Sequence, residues 1–453
     1  MRTSEIGLFL VLWVLTGCDI IEPLDNMKPE YKLTEENVYT DEAKVEANLR
    51  GMYALWRSSA MAYMPGNLWA LAGNYESSTS DGNRYNSNNV NADNADLESY
   101  YRSMYAIIQE ASFLIDNLSV AESIPGLSKE RQLEIEAEAR CARAMAHFFL
   151  LEVFGQFYDL ASSYGIVIIK EASREVIAQG RQSVDESYKA ILNDFDFAID
   201  FAPAINVHYK FSNTVARAFK AKVLLYRRQY AESAHLAAEV IADLNYGLED
   251  SYANIFEKGY HSKEVLFAPF VTGKEWSFTT ESYFSPSGII AIAEDDKRYQ
   301  FAHVEGANIG LVNQKYMHQS PLLEEQGNTY VRLRMAEVYL IYAEAKTRMA
   351  ASINDMHASE AIDKLNTIRF RADMPLVYPQ SREELLKAIR YEKNLELFGE
   401  YGQPWFDMVR YHKLGDVNIS EIKQAIKNDY QLILPIPRNA MVGNAGLVQN
   451  PGY

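Results

Sequence analysis

Two glutamates near the C-terminal end have the spacing that comes nearest to a catalytic pair. Glu392 and Glu396 are four positions apart in a predicted helix, which places both carboxyl groups on one face. Glycoside hydrolysis needs two carboxyl groups facing one sugar, so a glycoside hydrolase is one hypothesis. The chain has 61 acidic residues, however, and at that density such spacings are inevitable. A structural or solvated role is the preferred interpretation.

Histidines, glycine-rich motifs and clustered acids give no further catalytic signature. The eight histidines are scattered, so neither a zinc-binding helix motif nor a catalytic triad is apparent, and no phosphate-cradling glycine pattern occurs. The pairs Asp93/Asp96 and Asp295/Asp296 lack the alternating oxygen ligands of a known calcium loop. We therefore predict a protein that is not an enzyme and has no cofactor or metal.

Aromatic and polar residues are concentrated in two segments without helical period, near 64–96 and 246–320. Loops of this length are usually functional or disordered, and their aromatic content favours order. An aromatic ring can stack on a sugar while Asn, Asp or Arg binds its hydroxyl groups; packing onto the helices is the alternative for each ring. Trp276 is the leading stacking residue. The candidate ligand-binding residues are Trp69, Tyr75, Asp81, Arg84, Tyr85, Trp276, Tyr283 and Phe284.

The N-terminal stretch predicts a lipid anchor. An apolar run over 8–15 leads into Leu15-Thr16-Gly17-Cys18, is too short to span a bilayer, and has the form of a cleaved export signal. An ordinary secretory signal is the alternative interpretation. We expect a signal peptide at 1–17, lipidation of Cys18, a tether over 18–30 and a folded domain over 31–453.

The net charge and the two cysteines limit which binding partners and which disulfide bonds can be expected. A formal net charge of -17 repels phosphate backbones and anionic lipid, which argues against nucleic acid and leaves the covalent lipid as the membrane attachment. If the first of the two cysteines carries lipid, Cys141 has no partner. It lies in an alanine-rich helical stretch, so we expect a buried small residue rather than a reactive thiol.

Helical periodicity dominates the remaining sequence. Residues 333–343 and 358–368 repeat one apolar spacing and predict a helix pair. Residues 216–241, with a break near Arg228-Gln229, resemble a tetratricopeptide-type pair in which alanines let two helices approach closely. Capping boxes are predicted at Ser183 and Ser381. Further helices are predicted over 34–58, 99–118, 128–154 and 183–201.

Several short motifs then follow in a fixed order along the chain. They are Glu138-Ala139-Arg140 with Phe154-Gly155; Arg332-Leu333-Arg334-Met335-Ala336-Glu337; Leu365-Asn366-Thr367-Ile368-Arg369; Glu396-Leu397-Phe398-Gly399-Glu400 with Trp405-Phe406-Asp407; Leu434-Pro435-Ile436-Pro437; and the terminal Asn450-Pro451-Gly452-Tyr453. Together with the lipid-attachment motif, this ordered set resembles the SusD/RagB family of outer-membrane nutrient-binding lipoproteins.

The resemblance implies a mainly α fold of tetratricopeptide-like helix pairs with an irregular, loop-rich ligand-binding subdomain. It also implies a lipid-anchored protein of the outer membrane, displayed at the cell surface, that binds an oligosaccharide and delivers it to a SusC-like TonB-dependent transporter. A peptide-binding, RagB-like lipoprotein is the second hypothesis, and a glycoside hydrolase or a pure scaffold is a remote third. The sequence does not separate a sugar from a peptide ligand.

Overall fold

Helix pairs make up most of the structure, and short two-stranded ladders connect the segments between them. The computed structural model describes residues 39–79, 82–173, 178–205, 207–271, 284–306, 310–313, 315–316 and 330–453. The expected signal peptide, Cys18 and the tether lie outside these residues. In the described part, no helix combines the length and apolar character needed to cross a membrane.

The helices account for the mainly α fold class that was predicted, which is confirmed. They are α1 (Glu42–Leu55), α2 (Ser59–Ala72), α3 (Gly82–Asn86), α4 (Ala95–Val120), α5 (Lys129–Phe154), α6 (Val184–Phe201), α7 (Asn213–Tyr226), α8 (Tyr230–Ala242), α9 (Tyr252–Lys258), α10 (Gly288–Ala291), α11 (Lys297–Ala302), α12 (Met335–Met349), α13 (Met356–Arg371), α14 (Arg382–Leu397), α15 (Gln403–Lys413), α16 (Ile419–Ile422) and α17 (Arg438–Gly443). The strands are β1 (Tyr75–Ser77), β2 (Val265–Phe267), β3 (Phe284–Pro286), β4 (His303–Gly306), β5 (Gly310–Asn313) and β6 (Leu333–Arg334).

Helix α5 packs against both α4 and α6 and is buried along most of its length. It begins where the sequence predicts, because the Ser128 hydroxyl accepts a hydrogen bond from the backbone N–H of Arg131 at 3.1 Å and so caps the first turn. Cys141 is fully buried in this helix, and burial raises the pKa of its thiol well above the usual value. The expectation of a buried cysteine is confirmed.

The hairpin of α7 and α8 turns at the predicted break. Arg228 adopts a positive φ of 64° there, which reverses the chain direction between the two helices. Ala221 and Ala234 are buried, and the small side chains allow the helices to lie close enough for the Ser233 hydroxyl to donate to the Ala221 carbonyl at 2.8 Å. The α12–α13 pair is also confirmed: its predicted apolar faces form a separate small core cluster that includes Leu340 and Leu365.

The segment near 64–96 contains more helix than the sequence suggests. Helix α2 continues through Pro65 to Ala72, so the expectation of a segment without helix is wrong for its first part. Proline has no N–H and leaves the carbonyl four residues earlier without its helical donor. Here the Met61 carbonyl accepts a hydrogen bond from the Arg332 guanidinium at 3.1 Å instead. The described parts of 246–320 contain short strands, and they also contain the short helices α9, α10 and α11, which the sequence did not predict.

One of the two predicted capping boxes is complete. At the start of α6, the Ser183 hydroxyl and the Glu186 carboxylate each accept from the other residue's backbone N–H. At the start of α14, the Ser381 hydroxyl accepts from the Glu384 N–H, but the Glu384 carboxylate accepts from the Gln380 N–H at 2.7 Å. The second box is therefore half formed.

Glu152 in α5 is a buried acid without a hydrogen-bond partner among the described residues. It is fully buried, and neither carboxylate oxygen has a donor. The neighbouring Lys222 ammonium pairs with Glu337 instead, at 3.1 Å. Burial raises the pKa of Glu152 to about 8, so the folded chain holds this side chain as the neutral acid at neutral pH.

We predict that Glu152→Gln stabilises the protein in a pH-dependent way. An unfolded chain releases the Glu152 proton above its ordinary pKa of about 4.3, whereas the folded chain keeps it up to about 8, so the glutamate costs stability as the pH rises between these values. Urea unfolding should give a gain from the amide that is about 3 kcal/mol larger at pH 8 than at pH 5. Exposed Glu383→Gln is the control. A gain independent of pH would contradict the assignment.

Candidate ligand-binding region

A short β-ladder joins the two irregular segments that the sequence singles out. Strand β1, from the first segment, pairs antiparallel with β3, from the second, with Tyr75 opposite Pro286 and Ser77 opposite Phe284. The chain therefore leaves β1 at Ser77 beside the point where it enters β3 at Phe284. Residues 78–81 and 272–283, which carry several predicted ligand contacts, attach at this same end of the ladder.

A cluster of aromatic rings packs around Trp69 and joins β1 to β3 on the buried side of the ladder. The ring centroid of Trp69 lies 5.4 Å from that of Tyr75, 5.4 Å from that of Phe284 and 5.5 Å from that of Tyr330. The Tyr75 hydroxyl is hydrogen-bonded to the His303 ring at 2.8 Å, and the Trp69 indole N–H donates to a backbone carbonyl at 2.5 Å. The buried polar ends of the rings are thus satisfied.

Four predicted contact residues are part of the core instead. Trp69, Tyr75, Tyr85 and Phe284 expose only 1%, 0%, 0% and 4% of their surface, so none presents an open ring face to a ligand. The expectation that they form a stacking platform is therefore wrong in this structure. The rings of Trp69, Tyr75 and Phe284 pack so closely that a Cβ on Gly66 would lie 2.4 Å from the Phe284 ring. These residues hold the ladder in place.

The exposed side chains of β1 and α3, namely Glu76, Asn83 and Arg84, form a polar surface beside the ladder, which we call the loop surface. Arg84 is the predicted contact residue that the structure places there. The Asn86 side chain fixes α3 to β1, because it accepts from the Ser77 N–H and donates to the Ser77 carbonyl, both at 3.0 Å. The other predicted contacts, Asp81, Trp276 and Tyr283, lie outside the described residues.

Lys423 ties the C-terminal part of the chain to this region, a contact that the sequence does not reveal. Its ammonium donates to the backbone carbonyls of Ala70, of Leu71 at 3.0 Å and of Tyr85 at 3.5 Å. A cation here satisfies carbonyls at the end of α2 and interacts favourably with the helix dipole. Burial lowers the pKa of Lys423 to about 7. The sequence indicates the end of α2 only through Gly73, a glycine that adopts a φ of 74° directly after the helix.

The two glutamates considered for catalysis are buried and form ion pairs with arginine side chains. Glu392 and Glu396 are both 0% exposed, and one nitrogen of the Arg298 guanidinium lies 2.6 Å from the first carboxylate and 2.7 Å from the second. Burial alone would raise the pKa of Glu396, but the guanidinium groups of Arg371, Arg334 and Arg298 outweigh it and hold the pKa well below its usual value. Such a carboxylate is neither a proton donor nor open to a sugar.

These glutamates belong to a larger set of largely buried ions, which we call the buried charge network. Arg334 lies at its centre and contacts Glu264 at 2.8 Å, Glu396 at 2.6 Å and Glu400 at 2.8 Å. Acids and bases balance: the network comprises Glu264, Asp296, Glu392, Glu396 and Glu400 with Arg298, Lys315, Arg334, Arg369 and Arg371. Sequence reasoning missed this network because charged residues are ordinarily assigned to the surface.

Two family models match successive parts of the chain. A model described as the SusD family matches residues 249–453, and one described as starch-binding associating with outer membrane matches residues 24–225. SusD-like protein P2 of Formosa agariphila is 25% identical, with 100% of both chains covered. A SusD-like protein of Bacteroides ovatus is 21% identical over 72% of this chain and 67% of its own length.

Solved structures share the fold. A protein from Bacteroides vulgatus named "Putative sugar binding protein" superposes with a TM-score of 0.76 at 22% identity, covering 92% of this chain and 99% of that one. A laminarin-binding SusD-like protein superposes with a TM-score of 0.73 at 21% identity, covering 92% of this chain and 100% of the other. The chain thus shares the overall fold of these proteins.

We predict that Glu396→Ala lowers the free energy of unfolding by about 3–5 kcal/mol, because it leaves several buried guanidinium groups without their shared carboxylate. Chemical denaturation of the variant and of the parent chain measures this change. Glu383→Ala, at an exposed position in the first turn of the same helix, should change stability by no more than about 0.5 kcal/mol. Equal changes in the free energy of unfolding for the two substitutions would show that the network does not stabilise the fold.

Proposed function

Because the chain belongs to the SusD/RagB family, we propose that it is a lipid-anchored outer-membrane protein that binds an oligosaccharide and delivers it to a SusC-like TonB-dependent transporter. Family models covering both halves of the chain support this function, as does the name of the laminarin-binding relative. The protein binds and transfers its ligand without covalent chemistry. Outer-membrane attachment through lipid on Cys18 and display at the cell surface are parts of the same proposal.

The observation that carries the proposal is the β1–β3 ladder. It brings α3, with Arg84, next to Phe284, which directly follows the segment 272–283, and the sequence of that segment contains Trp276 and Tyr283. Sugar recognition combines an apolar ring face with polar groups that bind hydroxyl groups. We propose that Trp276 supplies the ring face, that Tyr283 assists it, and that Asp81 and Arg84 bind hydroxyl groups.

The alternatives make different predictions. A glycoside hydrolase needs two accessible carboxyl groups, and the pair suggested by the sequence is buried within the charge network. A RagB-like peptide binder would use the same fold and the same region. A thermal-shift screen that includes laminarin and starch-derived oligosaccharides as well as oligopeptides separates a sugar from a peptide ligand. Release of reducing sugar during that screen would revive the hydrolase.

We predict that Trp276→Ala weakens binding of the best oligosaccharide in the screen about tenfold or more, because a lost stacking surface is worth about 1–3 kcal/mol. Isothermal titration measures the affinity, and the melting temperature should barely change. Tyr378→Ala removes another aromatic ring, 69% exposed, and should leave the affinity unchanged. A large drop in melting temperature for Trp276→Ala would instead identify that ring as part of the core.

We predict that Cys18→Ala gives a folded protein that no longer enters the outer-membrane fraction, because the lipid is the proposed anchor. Fractionation in a strain without the transporter measures this directly, since the transporter itself would otherwise retain some protein. Sedimentation of the variant with outer membranes in that strain would contradict the lipoprotein assignment.

Mild detergent extraction of the tagged parent chain should recover the transporter with it, and repeated recovery of the chain alone would contradict the proposed partner.

A further inference from the structure

A second concave site lies along α4, away from the ladder. It is a cleft of 600 Å³ between α4, the extended segment before residue 174 and the C-terminal helix α17. The volume is within the range of about 300–1,000 Å³ that is usual for small-molecule sites. Its apolar walls are formed by Val167, Ile169 and Leu447. None of the ligand-binding residues predicted from the sequence contributes to it.

Two tyrosine rings line this cleft in a fixed arrangement. The centroids of Tyr101 and Tyr105 are 4.7 Å apart, and the ring of Tyr101 meets Phe154 edge-on at 5.1 Å. The Tyr105 hydroxyl donates to the Val167 carbonyl at 3.1 Å, which anchors the ring to the opposite wall. Both side chains are half-buried, so each retains an accessible surface. Rings held in this way lose little conformational entropy when a flat ligand packs on them.

The polar groups around the rings suit an uncharged ligand with many hydroxyl groups. Asn439 and Gln109 line the cleft as well, and their amide groups already donate to the Glu98 carboxylate at 2.5 Å and to the Ser173 carbonyl at 2.6 Å. These hydrogen bonds hold both side chains in place and leave the amide oxygens to accept from hydroxyl groups. Arg102 and Glu171 also line the cleft, and within the described ranges neither has a hydrogen-bond or ion-pair partner. Together with Glu98, the ionisable lining therefore carries no excess of positive charge, which sulfated or uronic-acid sugars would require. Paired rings beside amide groups, with one arginine and two glutamates in the lining, fit a neutral sugar better than an anionic one.

We infer that this cleft is a second carbohydrate-binding site, for a neutral oligosaccharide. Helix α4 connects the cleft with α3: the Tyr85 hydroxyl donates at 2.8 Å to Asn94, which caps α4, and Tyr101 follows about 10 Å further along the helix axis. The inference rests on the proposed function for the class of ligand, whereas the location of the site rests on the cleft alone.

Gly443 offers a way to block the cleft without disturbing the core. It lines the cleft, and a Cβ added there meets no atom within 4 Å. Gly443→Trp should therefore fold and occupy the space beside the tyrosines. Gly51, on the exposed side of α1, also has no atom within 4 Å of an added Cβ, so Gly51→Trp is the matched control. Arg102→Ala is a second variant, since this side chain has no described partner to lose.

The experiment titrates laminarihexaose, maltohexaose, cellohexaose and mannohexaose into the full chain by calorimetry. We expect at least one hexaose to occupy two sites in the parent chain and in Gly51→Trp, and one site in Gly443→Trp. Arg102→Ala should weaken the second site several-fold at an unchanged melting temperature. Trp276→Ala should affect only the other site.

The outcomes separate the two proposals. A single site that survives both Gly443→Trp and Arg102→Ala but is lost in Trp276→Ala overturns the cleft and leaves the proposed function intact. A single site that responds to Gly443→Trp and not to Trp276→Ala supports the cleft and contradicts the assignment of Trp276. Absence of binding by all four neutral hexaoses overturns the inference of a neutral-sugar cleft, and binding of oligopeptides in their place contradicts the proposed function as well.

Discussion

The buried charge network is the constraint on which the rest of the structure depends. Removing ions from water costs several kcal/mol each, and this cost is recovered only when every charge has close partners. Arg334 meets that condition, since its guanidinium contacts three carboxylates and it is 0% exposed. The pairing is also specific in geometry, because a shift of one helix would leave an unpaired ion in a medium of low polarity. The network therefore fixes how its elements can be placed relative to one another.

The same network holds the irregular region against the helix pairs. Arg298 follows the N-cap of α11 and Lys315 follows β5, both within the irregular segments, whereas Glu392 and Glu396 belong to α14. Glu400 makes the connection to the ladder: its carboxylate pairs with Arg334 and with Lys315, and its backbone carbonyl accepts the Trp69 indole N–H. Trp69 in turn packs on β1 and β3 through their aromatic residues. Segments with little regular secondary structure are thereby held by buried polar contacts instead of long sheets.

The sequence predicts what is decided locally and fails where distant segments meet. Helices α5 and α6 begin within one residue of the expected positions, because apolar spacing and a serine cap are both encoded within a few residues. Trp69 and Tyr75 were assigned to a ligand surface because their segment has no period, yet pairing with residues 284–286 buries them. Arg332, which supplies the donor that lets α2 pass through Pro65, lies some 270 residues away. No local pattern indicates such a contact.

This division also explains how a fold of this kind separates stability from recognition. Ions and rings that hold the ladder are buried, so they are unavailable to a ligand, while the side chains of the loop surface, including Arg84, are exposed. Substitutions at exposed positions change stability little, within about 0.5 kcal/mol in most proteins. The surface beside the ladder can therefore vary in sequence while the network beneath it stays unchanged, and identities near 20% among proteins of the same fold are consistent with that freedom. In the proposed binding site, ligand choice then depends on residues whose identity the core does not constrain.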